Sequence, residues 1–345
     1  MVLYPGDLNE AFAAFALLEA GRCVALLPAG MELGVGAATP GASGASIAVT
    51  SSGSTGRPKL VWREWETLKG SASRHPAVAG WRWAAPYDPW SFAGAQVAMQ
   101  AWVGGGGVLS LSANWQQTWR RLEAERIDAL SCTPTFVDLL LQNEPAGGSR
   151  WQPRQLTLGG ESLRAGTADR IRRRWPDTRG TAVYASAEFG VVMKTSRLDG
   201  WYEIGDLEKR WPRWRIVDGT LELGVGPAGW ASTGDQVEQR SGLLRIVGRS
   251  DQVANVAGTK VSLAHVAALA EEVPGVRRAR ASAKANSVTG QVVVLHFEVE
   301  RDAEAEQVRP ELERSLRARL PKAAWPRDWV EEEVGLAGNA KRALA

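Results

Sequence analysis

The sequence predicts a large α/β domain followed by a small α+β domain. Strand and helix signals alternate along the first two-thirds of the chain, and the pattern becomes strand-rich from about Thr220. After Asp251 the chain restarts with its own helix, strand, strand and helix. A length of 345 residues leaves room for two cores. The expected division is residues 1–249 for the N-terminal domain, 250–251 for a hinge and 252–345 for a mobile C-terminal domain.

Each element has a local reason. Asp7 followed three residues later by Glu10 is a capping pattern, and Gly21 ends the helix it opens. Residues 23–27 and 47–50 read as buried strands, the second running into a Gly/Ser/Thr loop. Asn114 with Gln117 repeats the cap before a helix to about Arg126. Residues 128–132 follow as a strand, and Pro134 takes the first position of another helix. Residues 156–158 and 181–184 are strands. The helix between them carries the basic run from Arg170 to Arg174, read as a solvated face. Residues 262–273 form a helix stopped by Pro274-Gly275. Residues 276–283 and 291–300 are strands, and a helix over 304–320 is closed by Pro321.

Composition narrows the function. Lys and Arg number 41 against 38 Asp and Glu, which leaves no electrostatic footprint for nucleic acid. Cys23 and Cys132 frame neither a disulfide scaffold nor a zinc site, and His75, His265 and His296 match no metal spacing. The apolar run 11–18 is too short to cross a bilayer, and no basic-then-apolar leader opens the chain. The expectation is a cytoplasmic protein with no membrane or nucleic-acid partner. The 16 tryptophans are scattered, as core and arginine-stacking residues would be.

The chemistry concentrates in Thr50-Ser51-Ser52-Gly53-Ser54-Thr55-Gly56-Arg57-Pro58-Lys59. Glycines let backbone N–H groups converge on an anion, the hydroxyls add donors, and Lys59 adds a charge, as a polyphosphate requires. A surface loop has the same composition. It is not a Walker A loop, because no Gly precedes Lys59 and Leu60 stands where Ser or Thr belongs. Gly224-Val225-Gly226-Pro227-Ala228-Gly229 has dinucleotide-fingerprint spacing, but no helix pattern follows, so a plain loop is expected.

The Thr50–Lys59 segment resembles the phosphate loop of the adenylate-forming superfamily: acyl- and aryl-CoA synthetases, peptide-synthetase adenylation domains and luciferases. Further segments fall in that family's order. Gly159-Gly160-Glu161 resembles its adenine-side loop, and Tyr184-Ala185-Ser186-Ala187-Glu188 its Tyr-Gly-x-Thr-Glu motif. Ser232-Thr233-Gly234-Asp235 resembles its Thr-Gly-Asp motif. Gly248-Arg249-Ser250-Asp251 with Gly258-Thr259-Lys260-Val261 resembles the hinge and the start of the mobile domain. Asn339-Ala340-Lys341 stands where the family ends on Asn-Gly-Lys. The look is closest to short acyl-CoA synthetases of the o-succinylbenzoate-CoA ligase kind.

The resemblance implies the adenylate-forming fold with a shortened N-terminal region, since the phosphate loop arrives early. That leaves an open acid pocket or a surface for a partner or a second copy. It also implies ATP, Mg²⁺ and coenzyme A as cofactors and co-substrates. A carboxylic acid becomes an acyl-adenylate and is then passed to a thiol. A carrier protein or an amine is an alternative acceptor, and a degenerate, non-catalytic nucleotide-binding or interaction subunit is the alternative from another class. Glu188 would hold Mg²⁺, Tyr184 would lie against adenine, and Asp235 would accept from the ribose hydroxyls with Arg249 as a nearby donor. Lys341 would neutralise charge during adenylation. Asp251 would be the hinge, and Gly258 and Lys260 would belong to the loop of the thiol half-reaction. Ala185 and Ala187 replace the Gly and Thr of the family motif, and Ala340 replaces the Gly before the lysine. The acid pocket is expected from segments after strand ends, 87–94, 102–107 and 132–135, with Tyr87, Trp90, Phe92, Gly94, Thr133 and Pro134. Their aromatic and small residues suit an aromatic or medium-sized apolar acid. No Arg or Lys there matches a second carboxylate.

Overall fold

Short buried strands and helices alternate in the first half of the chain and longer, more exposed strands follow, described over residues 1–31, 44–51, 59–72, 78–112, 114–250, 253–300 and 303–332 in a computed structural model. The chain divides into two compact units. The first holds Met1–Glu161 and Asp169–Ser196, the second Ser162–Ala168 and the described residues from Arg197 to Glu332.

The first unit opens with β1 (Val2–Leu3), α1 (Ala11–Glu19), β2 (Val24–Leu26), β3 (Ser46–Ser51) and β4 (Lys59–Glu64). β1, β2 and β3 are parallel, and β4 returns antiparallel on β3 with Ser51 opposite Lys59. The expected cap sits one turn before α1. The Asp7 carboxylate accepts from the backbone N–H of Asn9 at 2.8 Å and of Glu10 at 3.1 Å. The Glu10 carboxylate in turn accepts from Gly6 N.

The chain continues through α2 (Trp65–Gly70), β5 (Trp83–Ala85), α3 (Phe92–Gly104), β6 (Val108–Ser110), α4 (Trp115–Ala124), β7 (Ala129–Cys132), α5 (Pro134–Gln142), β8 (Gln155–Gly159), α6 (Ala165–Arg174), β9 (Arg179–Ser186) and β10 (Gly190–Thr195). A six-stranded sheet results, in the order β10-β9-β8-β7-β5-β6. It is parallel except for the β9–β10 hairpin. Its order reverses at β5, since the chain goes out to β6 and returns past β5 to β7. Ligands of open α/β sheets lie at the carboxyl ends of the strands where the order reverses.

α4 starts on its expected cap, with Asn114 accepting from Gln117 N at 3.1 Å. α5 has Pro134 at the expected first helical position, and Thr133 caps it by accepting from Phe136 N at 3.1 Å. α3 was not expected as a helix. Its small residues bury it on most sides, including Gly94, Ala95, Ala98 and Ala101. It shares one core with α1, β2, β3 and β5. Residues 102–107 therefore do not follow a strand end. Trp102 lies in the last turn of α3, edge-on to Phe12 at 5.5 Å and Phe15 at 6.2 Å, and packs that core.

The basic run on α6 is not simply solvated. Arg174 donates to both Glu144 oxygens and to Ser149 O, beside the edge-packed Trp119, Trp151 and Trp175. Arg170 pairs with the buried Asp138 of α5 at 2.8 Å. Asp138→Ala leaves that guanidinium without its carboxylate and should cost about 3 kcal/mol, as breaking a buried pair does. Replacing both residues with leucine should recover most of the loss in a denaturant titration.

In the second unit, β11 (Tyr202–Glu203), α7 (Ile204–Arg210), β12 (Trp214–Val217), β13 (Thr220–Val225), β14 (Gly229–Arg240) and β15 (Leu243–Arg249) give an antiparallel sheet ordered β11-β15-β14-β13-β12. Residues 224–229 close the β13–β14 hairpin, as expected of a loop, and the Arg213 guanidinium donates to three of its carbonyls. Next come β16 (Val253–Val256), β17 (Thr259–Ser262), α8 (Leu263–Glu271), β18 (Val276–Asn286), β19 (Gly290–Val299), α9 (Ala305–Arg319) and β20 (Asp328–Glu331). β20 lies parallel to β19 in the last sheet, whose apolar face packs on α8 and α9. Among the described residues no helix is long and apolar enough to cross a membrane.

Candidate active site

In the first unit the predicted phosphate loop leaves β3 at Ser51 and rejoins β4 at Lys59. Ser52, Gly53, Ser54, Thr55 and Gly56 lie outside the described residues, as do Asp251 and Lys341. Thr50 anchors the loop's entry. Its N–H donates to Trp90 O at 2.8 Å, and Thr50 pairs in parallel with Ser91. The loop therefore begins beside the segment that follows β5.

β4 carries two faces. Leu60 and Trp62 pack on Ala25, Leu27 and Ala48, whereas Val61 packs on the large core of the unit. Strand alternation puts Lys59 and Arg63 on the Val61 face. Lys59 is exposed, and Arg63 is half-buried. The Arg63 Nη1 donates to the carbonyl of Glu188 at 2.6 Å.

Glu188 occupies the tip of the β9–β10 hairpin, with its side chain exposed. Ser186 accepts from Phe189 N at 3.2 Å and closes that turn. Tyr184 and Ala185 are half-buried on β9. Ala187, where the family motif has Thr, is 5% exposed and belongs to the apolar core, a place where a hydroxyl would need a partner. No three His, Cys, Asp or Glu among the described residues converge as a metal cage. One exposed carboxylate on a turn suits Mg²⁺, which keeps water and phosphate oxygens among its ligands.

The reversal point of the sheet gathers most of the expected acid pocket. Tyr87 and Trp90 follow β5, and Thr133 and Pro134 follow β7. Gly159 and Gly160 end β8, and the Glu161 carboxylate accepts from Thr135 N at 3.2 Å, at the N-terminus of α5. Burial pushes the Tyr87 phenol well up, reinforced by Cys132 and Glu161 and opposed by a hydrogen bond with Ser131. Burial likewise raises the Cys132 thiol well above its ordinary value, with Glu161 and Asp138 adding to it. Phe92 and Gly94 lie in the first turn of α3. Phe92 is in the core, and a methyl on Gly94 would stand 2.1 Å from Asp88 O, so helix packing accounts for both. Sequence reasoning missed Arg63, whereas Thr135 falls at the end of the expected pocket segment 132–135. The signal for Arg63 was the apolar run Leu60-Val61-Trp62 just before it, which marks a strand.

In the second unit Asp235 and Arg249 are register partners on β14 and β15. Arg249 Nη1 lies 3.2 Å from Asp235 Oδ1 and donates to Thr233 O at 3.1 Å. Gly234 permits this approach: its φ is +71°, and a methyl there would stand 2.8 Å from Arg249 Nη2. Gly258 and the exposed Lys260 sit at the β16–β17 hairpin, whose turn residues Ala257 and Gly258 have φ of +50° and +82°.

A family profile described as AMP-binding enzyme matches residues 37–223, more than half of the chain. The chain belongs to the AMP-binding enzyme family. Its fold is that of the adenylate-forming enzymes, shown by solved members. These include an amide bond synthetase, McbA from Marinactinospora thermotolerans, with a TM-score of 0.66 and 19% identity over 96% of this chain and 75% of that one. A variant of E. coli MenE gives 0.66 and 16% identity over 97% and 90%. The anthranilate CoA ligase AuaEII gives 0.64 and 16% identity over 83% and 63%. A 2-hydroxy-7-methoxy-5-methyl-1-naphthoate–CoA ligase of Streptomyces carzinostaticus is 27% identical over 286 residues, 71% of this chain. The chain spans about half the length of that curated relative, 51%.

The second unit also holds a cleft of about 400 Å³ lined by Glu238, Arg245, His265 and Arg319 among others. Glu272 bridges Arg245 and Arg319, and Glu238 pairs with Arg245 at 2.6 Å, so the charges balance and no anion site results. Burial lowers the His265 imidazole below its ordinary 6.5. Arg245 and Arg319 add to this, and Glu238 and Glu272 oppose it.

Two measurements check these environments. In the native chain at pH 8, iodoacetamide should label the half-buried Cys23 and spare Cys132, whose thiolate is suppressed, until denaturant is added. For His265 the unfolded chain binds the proton more tightly than the folded one. Stability should therefore fall as the pH drops from 6.5 towards 5. His265→Gln should flatten that slope in thermal melts.

Proposed function

We propose that this chain uses Mg-ATP to activate a carboxylic acid, aromatic or medium-sized and apolar, as an acyl-adenylate, and then passes the acyl group to a thiol, coenzyme A. One observation carries the reading. The strand leaving the phosphate loop holds Lys59 on the same face as Arg63, and Arg63 bonds the turn that bears Glu188. A cationic strand face at the exit of the predicted phosphate loop and the turn bearing an exposed carboxylate are thus tied by one hydrogen bond.

The roles follow from chemistry. The Gly/Ser/Thr loop and Lys59 orient the β- and γ-phosphates. Glu188 would hold Mg²⁺, which supplies charge neutralisation on the phosphates when bound. Tyr184 and the Gly159–Glu161 loop face the adenine, and Asp235 accepts from the ribose hydroxyls with Arg249 beside it. The carboxylate of the acid attacks the α-phosphorus, and pyrophosphate leaves. Lys341 offsets the charge that gathers on the α-phosphate in the transition state. The thiol then attacks the acyl carbon and AMP leaves, a step we assign to the face carrying Gly258 and Lys260, reached by rotation at Asp251. The aromatic and small residues around Tyr87, Trp90 and Thr133 support an aromatic acid, and the names of the similar ligases agree with that class. A carrier-protein thiol or an amine is the competing acceptor.

The test is acid-dependent exchange of labelled pyrophosphate into ATP, run over a panel of aromatic and aliphatic acids. Trapped adenylate is then chased with coenzyme A, a phosphopantetheinyl carrier protein or an amine. Exchange with at least one aromatic acid is expected. Lys341→Ala should lower it by about 10² to 10³, the effect of removing one preorganised donor. Release of AMP from supplied acyl-AMP by the thiol should be nearly unchanged. Nucleotide binding without exchange for every acid would overturn the enzyme reading in favour of a non-catalytic nucleotide-binding chain.

A further inference from the structure

Arg63 stands where a charged side chain is costly. Its neighbours on β4 are the packed Val61 and Trp62, its Nε–H is buried without a hydrogen-bond partner, and burial lowers its pKa. What it gains is the 2.6 Å bond from Nη1 to the Glu188 carbonyl, together with the charges of Glu64 and Glu188 nearby. The hairpin that bears Glu188 leaves room for it. Gly190, the first residue of β10, has φ of +73°, and a methyl there would stand 2.7 Å from Arg63 Nη2. A cation has thus been placed under the main chain of a hairpin tip, where a side chain at position 190 would push it aside.

From this geometry we infer that Arg63 is a positioning residue: it fixes the Glu188 turn, and through it the Glu188 carboxylate, against the strand that leaves the phosphate loop. The inference rests on the proposed function for its catalytic consequence, although its structural content does not. Strand spacing sets Arg63 about 13 Å along β4 from Lys59, on the same face. The guanidinium is therefore a spacer between two groups assigned to the same polyphosphate. It touches neither the nucleotide nor the acid in this assignment. A charged donor to a carbonyl holds the turn while leaving the carboxylate of Glu188 outward and exposed.

The experiment compares Arg63→Met, Arg63→Lys, Gly190→Ala, Glu188→Gln and the Arg63→Met/Glu188→Gln double variant in the full chain. The readouts are pyrophosphate exchange against Mg²⁺ concentration, KM for the acid, and backbone amide hydrogen exchange of residues 187–189. Loss of a charged hydrogen bond should raise both the Mg²⁺ concentration for half-maximal exchange and the amide exchange rate of the turn about ten-fold in Arg63→Met. KM for the acid should be unchanged. Arg63→Lys, which still presents a donor, should recover most of the effect, and Gly190→Ala should reproduce it by displacing the guanidinium. In the Glu188→Gln background Arg63→Met should add no further Mg²⁺ shift. The inference is overturned if Arg63→Met leaves both the Mg²⁺ dependence and the turn amides as in the parent. It also falls if Arg63→Lys is as impaired as Arg63→Met, or if the Mg²⁺ shift persists in full on top of Glu188→Gln. Should the parent chain exchange no pyrophosphate with any acid, the proposed function fails instead. Amide exchange then decides on Arg63: a ten-fold rise confined to the turn supports it, and unchanged rates refute it.

Discussion

A backbone hydrogen bond from Thr50 to the carbonyl of Trp90 ties together the two sheets of the first unit. Together with side-chain packing through α3, it holds the strand leading into the phosphate loop against the crevice of the six-stranded sheet. α3 makes the approach possible, since its glycine and alanines let both layers close on it. Backbone bonds have fixed reach, so this one sets where the loop begins to within a few tenths of an ångström. The Arg63 bond makes a second tie from the same hairpin, to the turn that bears Glu188.

The two ties differ in kind. The Thr50 bond is main chain to main chain and survives almost any side-chain change. The Arg63 bond is specified by one side chain and by the absence of another at Gly190. A scaffold that must place a carboxylate accurately while keeping it exposed has few means of doing so, because packing would bury the group. Holding the turn from beneath, through its carbonyl, is one of them. Thr135 and Glu161 show the same economy, with a carboxylate held against an α5 N–H beside Tyr87 and Cys132.

Much of this was legible in the sequence. A capping residue announced α4, Pro134 announced α5, Pro274-Gly275 announced the end of α8, and the alternation of apolar strands with helices announced the α/β domain. Six ordered motifs pointed to the family. The losses have physical causes. α3 is buried nearly all round, so its residues show no amphipathic period and read as the mixed lining of a pocket. Phe92, Gly94 and Trp102 were drawn into the acid pocket on that ground, yet packing explains each of them. Arg170 and Arg174 read as a solvated face because their partners, Asp138 and Glu144, lie about thirty residues away. Arg63 escaped for the same reason: its partner is a carbonyl 125 residues on, which no local pattern announces.

The reversal of strand order at β5 also governs how this sheet can be assembled. β5 pairs with β6 on one side and β7 on the other, and all three of its residues end up buried. On a growing chain β6 emerges first, so one side of β5 is satisfied early. Its other side stays an open, apolar strand edge until synthesis has passed Cys132 and α4 has crossed over. Parallel pairing offers no tight turn to shorten that wait, since each crossover must close a long loop before any ladder bond forms. During this interval the Trp83-Ala84-Ala85 edge is a template for association with other nascent chains. The topology that creates the ligand crevice thus also leaves the strand at its centre open on one side while the crossover is being made.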